Sequence, residues 1–124
     1  MLKILSAVLV AVLVAACASP LSGEYAKGKT KTLVISQGVW SGYQEYMTKI
    51  AGTNPGAFVV AAVDGVGVSY SYYYCPGTSC LAGKDMANSA MDRCKGMGAG
   101  VECVLFAQRN EIVVNYKRQG GEGA

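Results

Sequence analysis

The sequence predicts an α+β domain in which a four-stranded, mainly antiparallel sheet of two hairpins is covered by two helices and joined by two disulfides. Three observations support this prediction: an Asp-Gly turn between two strand-like runs, two segments with apolar residues at helical spacing, and four cysteines within the domain. A chain of 124 residues is long enough for one small domain.

The first seventeen residues are typical of an export signal. Lys3 precedes an apolar run over residues 4–14, and two alanines stand directly before Cys17. This pattern resembles the lipobox of bacterial lipoproteins. The resemblance implies a signal peptide over residues 1–16 and a lipid on Cys17 that anchors the chain to the membrane. Ordinary secretory cleavage is the alternative, whereas a membrane span would need about 20 apolar residues.

The residue after Cys17 is Ala18 rather than Asp, which in lipoproteins of Gram-negative bacteria favours the outer membrane. We therefore expect a lipid-anchored location in the cell envelope, with the domain facing the periplasm. Eleven basic against eight acidic residues do not indicate a nucleic-acid partner. Residues 23–30 match a phosphate-loop pattern, but a strand-like segment follows where that loop needs a helix, so no nucleotide partner is predicted.

Residues 17–31 are predicted to be the lipid anchor and a flexible tether, because they contain proline, serine, two glycines and three lysines and have little apolar content. The folded domain is expected over residues 32–118, followed by a disordered tail over 119–124. Its first elements are a short strand over 33–35 and a helix near 40–50, with Ser36 as the helix cap. The apolar face of this helix consists of Val39, Trp40, Tyr43, Met47 and Ile50.

The next segment has the strongest hairpin signal in the chain. Residues 57–63 and 66–75 are strand-like, and Asp64-Gly65 between them suits a two-residue turn with positive φ angles. Alternation places Tyr70, Tyr72 and Tyr74 on the same face as Val66 and Val68. It places Tyr73 on the opposite face with glycine and serine.

The remaining elements are a helix over 80–94, capped by Thr78 or Ser79, and a second hairpin. The strands of that hairpin are predicted over 101–107 and 112–116, around Arg109-Asn110. Small residues on the inner stripe of the helix are expected to let it lie close to the sheet.

Four cysteines remain after Cys17 is assigned to lipid, and an oxidising compartment would pair them. Cys80 and Cys94 would lie about 21 Å apart at opposite ends of one helix, so they cannot bond to each other. The strand and helix directions then favour the pairs Cys75–Cys80 and Cys94–Cys103. A four-thiolate zinc site is the alternative, although the spacing is only loosely typical of one; no metal or cofactor is predicted.

The sequence offers little catalytic chemistry, because it contains no histidine and no nucleophile, metalloprotease or dinucleotide motif. A Ser–Lys dyad or a carboxylate pair stays open, but we predict no catalytic residue. The expected function is that of a non-enzymatic structural or partner-contacting domain. The alternative is a module that binds peptidoglycan or lipopolysaccharide through Tyr73, with Tyr70, Tyr72 and Trp40 as further candidate contacts.

The order hairpin, cysteine, helix, cysteine, hairpin over residues 57–116 loosely resembles small cysteine-paired exported domains of proteobacteria. The function of those domains is not established, and the resemblance implies no activity. It depends on the layout and on the positions of Cys94 and Cys103.

Overall fold

The computed structural model describes residues 20–51, 54–76 and 85–120, which form one sheet with a helix on each face. The helices are a 3-10 helix (Pro20–Tyr25), α1 (Gln37–Lys49) and α2 (Met86–Lys95). The strands of the described residues are β1 (Leu33–Ile35), β2 (Gly56–Val63), β3 (Val66–Tyr74), β4 (Glu102–Gln108), β5 (Glu111–Ile112) and β6 (Tyr116–Arg118). Their order across the sheet is β5-β4-β2-β3-β1-β6.

The predicted four-stranded, mainly antiparallel sheet with two disulfides is wrong. The sheet has six strands and is mixed, because β1 runs parallel to both β3 and β6, and one disulfide joins described residues. The segment predicted as one strand over 112–116 is divided between β5, which pairs with β4, and β6, at the opposite edge of the sheet. Such short strands paired across long sequence separations leave no periodic signal in the sequence.

The sheet is curled into a half-barrel. Its two edge strands, β5 and β6, are separated by only residues 113–115, which limits the distance between their ends to about 14 Å. Six strands in a flat sheet would span about 24 Å. The rings of Phe106 on β4 and Tyr116 on β6 meet with their centroids 5.2 Å apart. The side that carries these rings is therefore the concave side.

Helix α1 packs on this concave side. The predicted cap at Ser36 is confirmed: its hydroxyl accepts a hydrogen bond from the Val39 N–H at 3.2 Å. Tyr43 and Tyr46 are buried beneath the helix, and the Tyr46 hydroxyl donates to the Arg109 carbonyl at 2.7 Å. Burial raises the pKa of Tyr46 above its usual value. The hydrogen bond joins α1 to the turn between β4 and β5.

Helix α2 packs on the convex side through small residues, as predicted. Ala87, Ala90 and Cys94 are buried against β2 and β4, and the Ser71 hydroxyl donates to the Ala90 carbonyl at 2.6 Å. The helix begins later than expected, at Met86, with Asp85 accepting from the Asn88 N–H at 3.1 Å. The predicted caps Thr78 and Ser79 lie outside the described residues.

The predicted first hairpin is confirmed, with one correction. Asp64 and Gly65 have φ angles of 50° and 78°, as a primed two-residue turn requires. A bulge opposite Ala61/Ala62 inserts Val68 as an extra residue and shifts the alternation, so the predicted face shared by Val66 and the tyrosines is wrong. Gly67 points to the concave side instead, where a Cβ would lie 2.5 Å from Val60 Cγ1.

The segment interpreted as a tether is folded against the sheet over the part that the structure describes. The buried Ser22 hydroxyl donates to the Leu105 carbonyl at 2.7 Å, Tyr25 is buried, and Ala26 forms a bridge with Val114. The Asn115 amide holds the following turn by donating to the Ala26 carbonyl at 3.3 Å. Within the described ranges, no helix is long and apolar enough to cross a bilayer.

Candidate functional site

The tyrosines of β3 divide between the two faces of the sheet. Tyr70, Tyr72 and Tyr74 lie half-buried on the concave side, where the Tyr70 and Tyr72 rings stack with centroids 6.3 Å apart. Tyr73 points to the convex side and is 39% exposed, with the Arg93 guanidinium 6.0 Å from its ring centroid. The candidate contact residues of β3 thus do not form one continuous aromatic face.

Trp40 lies apart from these tyrosines, beside β6. Its ring stacks on Tyr116 at 6.0 Å, and the Arg118 guanidinium lies over it at 4.7 Å. Groups of the domain itself therefore cover part of Trp40, which packs against the core.

Most of the outer edge of β3 has no partner strand among the described residues. The three-residue strand β1 pairs only with Val66 and Gly67 of β3, while β2 pairs with β3 along its whole length. We call the stretch from Val68 to Tyr74 the open edge. Val68 itself is 54% exposed.

Backbone directions along the open edge follow from the hydrogen bond that the Cys75 N–H donates to the Pro55 carbonyl, on the side of β2, at 2.8 Å. Successive residues of a strand direct their N–H and C=O groups to alternate sides. The backbone groups of Tyr70, Tyr72 and Tyr74 therefore point away from β2, toward the open edge.

Both helices contribute a charged side chain beside the open edge. A groove of about 490 Å³ follows the strand, and Glu45 of α1 lines it on the concave side. Arg93 and Met97, from α2 and the turn after it, line it on the convex side. The pKa of Tyr72 is raised, first by burial and then by the Glu45 carboxylate.

Close packing brings the two helices to this position. Gly42 lets α1 approach the sheet, because a Cβ at this residue would overlap the Tyr70 ring. On the other face, Ser71 is small and buried, and its hydroxyl donates a hydrogen bond to the Ala90 carbonyl of α2. The helix positions, and with them Glu45 and Arg93, depend on these small residues.

Two other surface grooves are lined by charged residues. One, of about 420 Å³, lies at the start of α2 beside Asp85, Arg109 and Glu111. The other, of about 510 Å³, lies between Lys31, Asp64 and Glu102. Across residues 20–51, 54–76 and 85–120, no group of three or more His, Cys, Asp or Glu side chains is arranged to hold a metal ion.

The cysteines are placed as follows. Cys94 and Cys103 form the predicted disulfide, with their Cα atoms 5.9 Å apart. Cys17 and Cys80 lie outside the described residues, so neither the lipidation site nor the predicted Cys75–Cys80 pair is part of the described structure. Cys75 itself is buried.

Comparisons with protein-family models, with curated proteins and with solved structures give no match for this chain.

Glu45 and Arg93 were not among the contact residues predicted from the sequence. A signal for the open edge was nevertheless present. The strand over 33–35 is too short to cover a neighbour that extends from residue 66 to 75, and residues 68–74 contain neither charge nor proline.

Proposed function

We propose that this chain is a lipid-anchored protein of the bacterial cell envelope, facing the periplasm from the outer membrane. Its domain acts by contact with another envelope component and carries out no chemistry. The observation that supports the proposal best is the lipobox-like Val14-Ala15-Ala16-Cys17, three residues before Pro20, where the described structure begins.

The short distance between Cys17 and Pro20 has a mechanical consequence. Three residues span at most about 11 Å, and Ser22 and Tyr25 fix the following segment to the sheet. A lipid on Cys17 would therefore hold the domain close to the bilayer surface. The exposed Lys27 is available to anionic headgroups there, at about 1 kcal/mol per basic residue near the surface.

Membrane attachment is expected to depend on the Cys17 thiol. The chain should be recovered in the membrane fraction with an acylated Cys17 as its first residue, and Cys17→Ser should move it to the soluble fraction. Stable attachment needs more than one acyl chain or an added basic patch, so losing the acylated residue removes most of the affinity. Intact mass and fractionation measure both results.

Ala18→Ser is the matched control for this experiment, because it keeps a small residue other than Asp after Cys17. It should remain in the membrane fraction. A mature N-terminus at another residue, or membrane binding of Cys17→Ser equal to that of the parent chain, would contradict the proposed anchor.

A contact function draws support from the open edge, which combines backbone groups that no described strand pairs with and the charged Glu45 and Arg93 beside them. Such an edge is a surface on which another chain can pair.

Glycan binding is the second candidate function, and the exposed ring of Tyr73 is the observation in its favour. We expect no specific retention on purified peptidoglycan, because Tyr70 and Tyr72 stack in the layer beneath α1 and leave Tyr73 without a second ring beside it. Specific retention that is lost in Tyr73→Ala but kept in Val68→Ala, with both variants folded by circular dichroism, would favour the glycan-binding function instead.

A further inference from the structure

We infer that the open edge, Val68 to Tyr74, binds an extended peptide segment of another protein, which adds as a strand beside β3. The segment carries basic side chains on the concave side and acidic side chains on the convex side. This inference rests on the proposed contact function and names the surface and the partner chemistry.

In the part of the chain that the structure describes, the open edge lacks the usual protection against strand addition. Exposed edge strands in natural proteins commonly carry lysine, proline or an inward-facing charge, or are covered by another element. The sequence of residues 68–74 is Val-Ser-Tyr-Ser-Tyr-Tyr-Tyr, which offers none of these residues. The bulge at Val68 lies at the end nearest β1, so it leaves the rest of the strand regular.

The backbone of the open edge supplies the affinity expected for strand addition. Tyr70, Tyr72 and Tyr74 direct their N–H and C=O groups outward, which gives an incoming strand donors and acceptors along the edge. The rings of Tyr70 and Tyr72 stack, and the Tyr74 ring lies tilted against Tyr72 with centroids 6.1 Å apart, so side-chain contacts run along the strand. In other complexes formed in this way, main-chain hydrogen bonds give affinity and alternate side-chain contacts give specificity.

The charges beside the open edge define which peptide fits. Side chains of an added strand alternate between the two faces of the sheet. Those on the concave side approach Glu45, and those on the convex side approach Arg93. A segment in which lysine or arginine alternates with acidic residues therefore complements the charges of both Glu45 and Arg93.

The same charges disfavour a second copy of this chain as the occupant. Two identical β3 strands pair antiparallel about a two-fold axis perpendicular to the sheet, which keeps each helix on the same face in both copies. The Glu45 side chains of the two copies would then lie on one face of the joined sheet, and the two Arg93 side chains would lie on the other. Like charges on the same face of an interface oppose association.

The test is direct binding of a fluorescent peptide to the full-length chain in detergent, measured by anisotropy. The peptide has about eight residues, with lysine and threonine at odd positions and glutamate and threonine at even positions. The first control has the same composition, but lysine and glutamate each occur at both odd and even positions. The second control has the original sequence with N-methyl groups on alternate amides. We expect binding of the first peptide and about tenfold weaker binding of each control.

Variants of the protein locate the peptide on the open edge. Glu45→Lys and Arg93→Glu should each weaken binding about fivefold. Their combination should restore it, because the reversed polarity accepts the same peptide with its two faces exchanged. Tyr74→Pro should bind about tenfold more weakly than Tyr74→Ala, because both lose the ring but only proline removes the outward N–H. Circular dichroism checks that each variant is folded.

Three outcomes would overturn the inference: equal binding of all three peptides, equal binding by Tyr74→Pro and Tyr74→Ala, or no restoration in the charge-reversed double variant. Self-association of the chain that Tyr74→Pro abolishes, without peptide binding, would assign the open edge to a second copy and also overturn it. The assay is repeated with Cys17→Ser. Peptide binding does not require the lipid, so failure of the anchor and failure of the peptide site give different results.

Discussion

Gly42→Ala is expected to destabilise the domain by about 2–3 kcal/mol, although alanine is favoured over glycine inside a helix by about 1 kcal/mol. The reason is steric. A Cβ on Gly42 would overlap the ring of Tyr70, on which α1 rests. That ring cannot easily move, since it stacks on Phe58 with centroids 5.2 Å apart and on Tyr72 at 6.3 Å.

Gly38→Ala is the matched control on the same helix. The nearest atom to its added Cβ is Ser36 Oγ at 3.9 Å, which is an ordinary contact. This variant should be neutral or up to about 1 kcal/mol more stable than the parent chain. Urea unfolding measures both variants. Equal stability of Gly42→Ala and Gly38→Ala would show that α1 does not lie as close to β3 as the structure has it.

Loss of the Cys94–Cys103 disulfide should have an effect of similar size. The two residues are nine apart in sequence, and the loop-entropy estimate for a loop of this length is about 2.6 kcal/mol. Cys94 is also buried, and the bond joins the end of α2 to β4. Cys94→Ala/Cys103→Ala should therefore melt roughly 10–20 °C below the parent chain.

Cys75→Ala/Cys80→Ala is the comparison for this experiment, and we expect it to lower the melting temperature less. The predicted Cys75–Cys80 bond closes only a short turn, whereas Cys94–Cys103 holds a helix against the sheet. Non-reducing peptide mapping establishes the connectivity. A Cys75–Cys94 bond in the map, or equal melting losses in the two double variants, would contradict this account.

The sequence predicted the part of the candidate site that depends on neighbouring residues, and it missed the part that depends on contacts between distant segments. Alternation along β3 placed Tyr73 on the face opposite the other tyrosines, because side-chain direction in a strand depends only on position within it. It placed Val66 on the wrong face, because the bulge that shifts the alternation arises from the pairing with β2. Glu45 and Arg93 lie far apart in sequence, and only the packing of both helices on β3 brings them to the same groove.

The sequence by itself determined the features that neighbouring residues encode. The Asp64-Gly65 turn, the Ser36 cap and the Cys94–Cys103 bond depend on backbone preferences and distances within one or two elements. The tertiary structure alone decided that β6 pairs parallel with β1, that the sheet curls around α1, and that the segment from Pro20 packs on β4. These arrangements depend on which distant segments bury each other's apolar side chains, and a strand of three residues carries too short a pattern to show its partner.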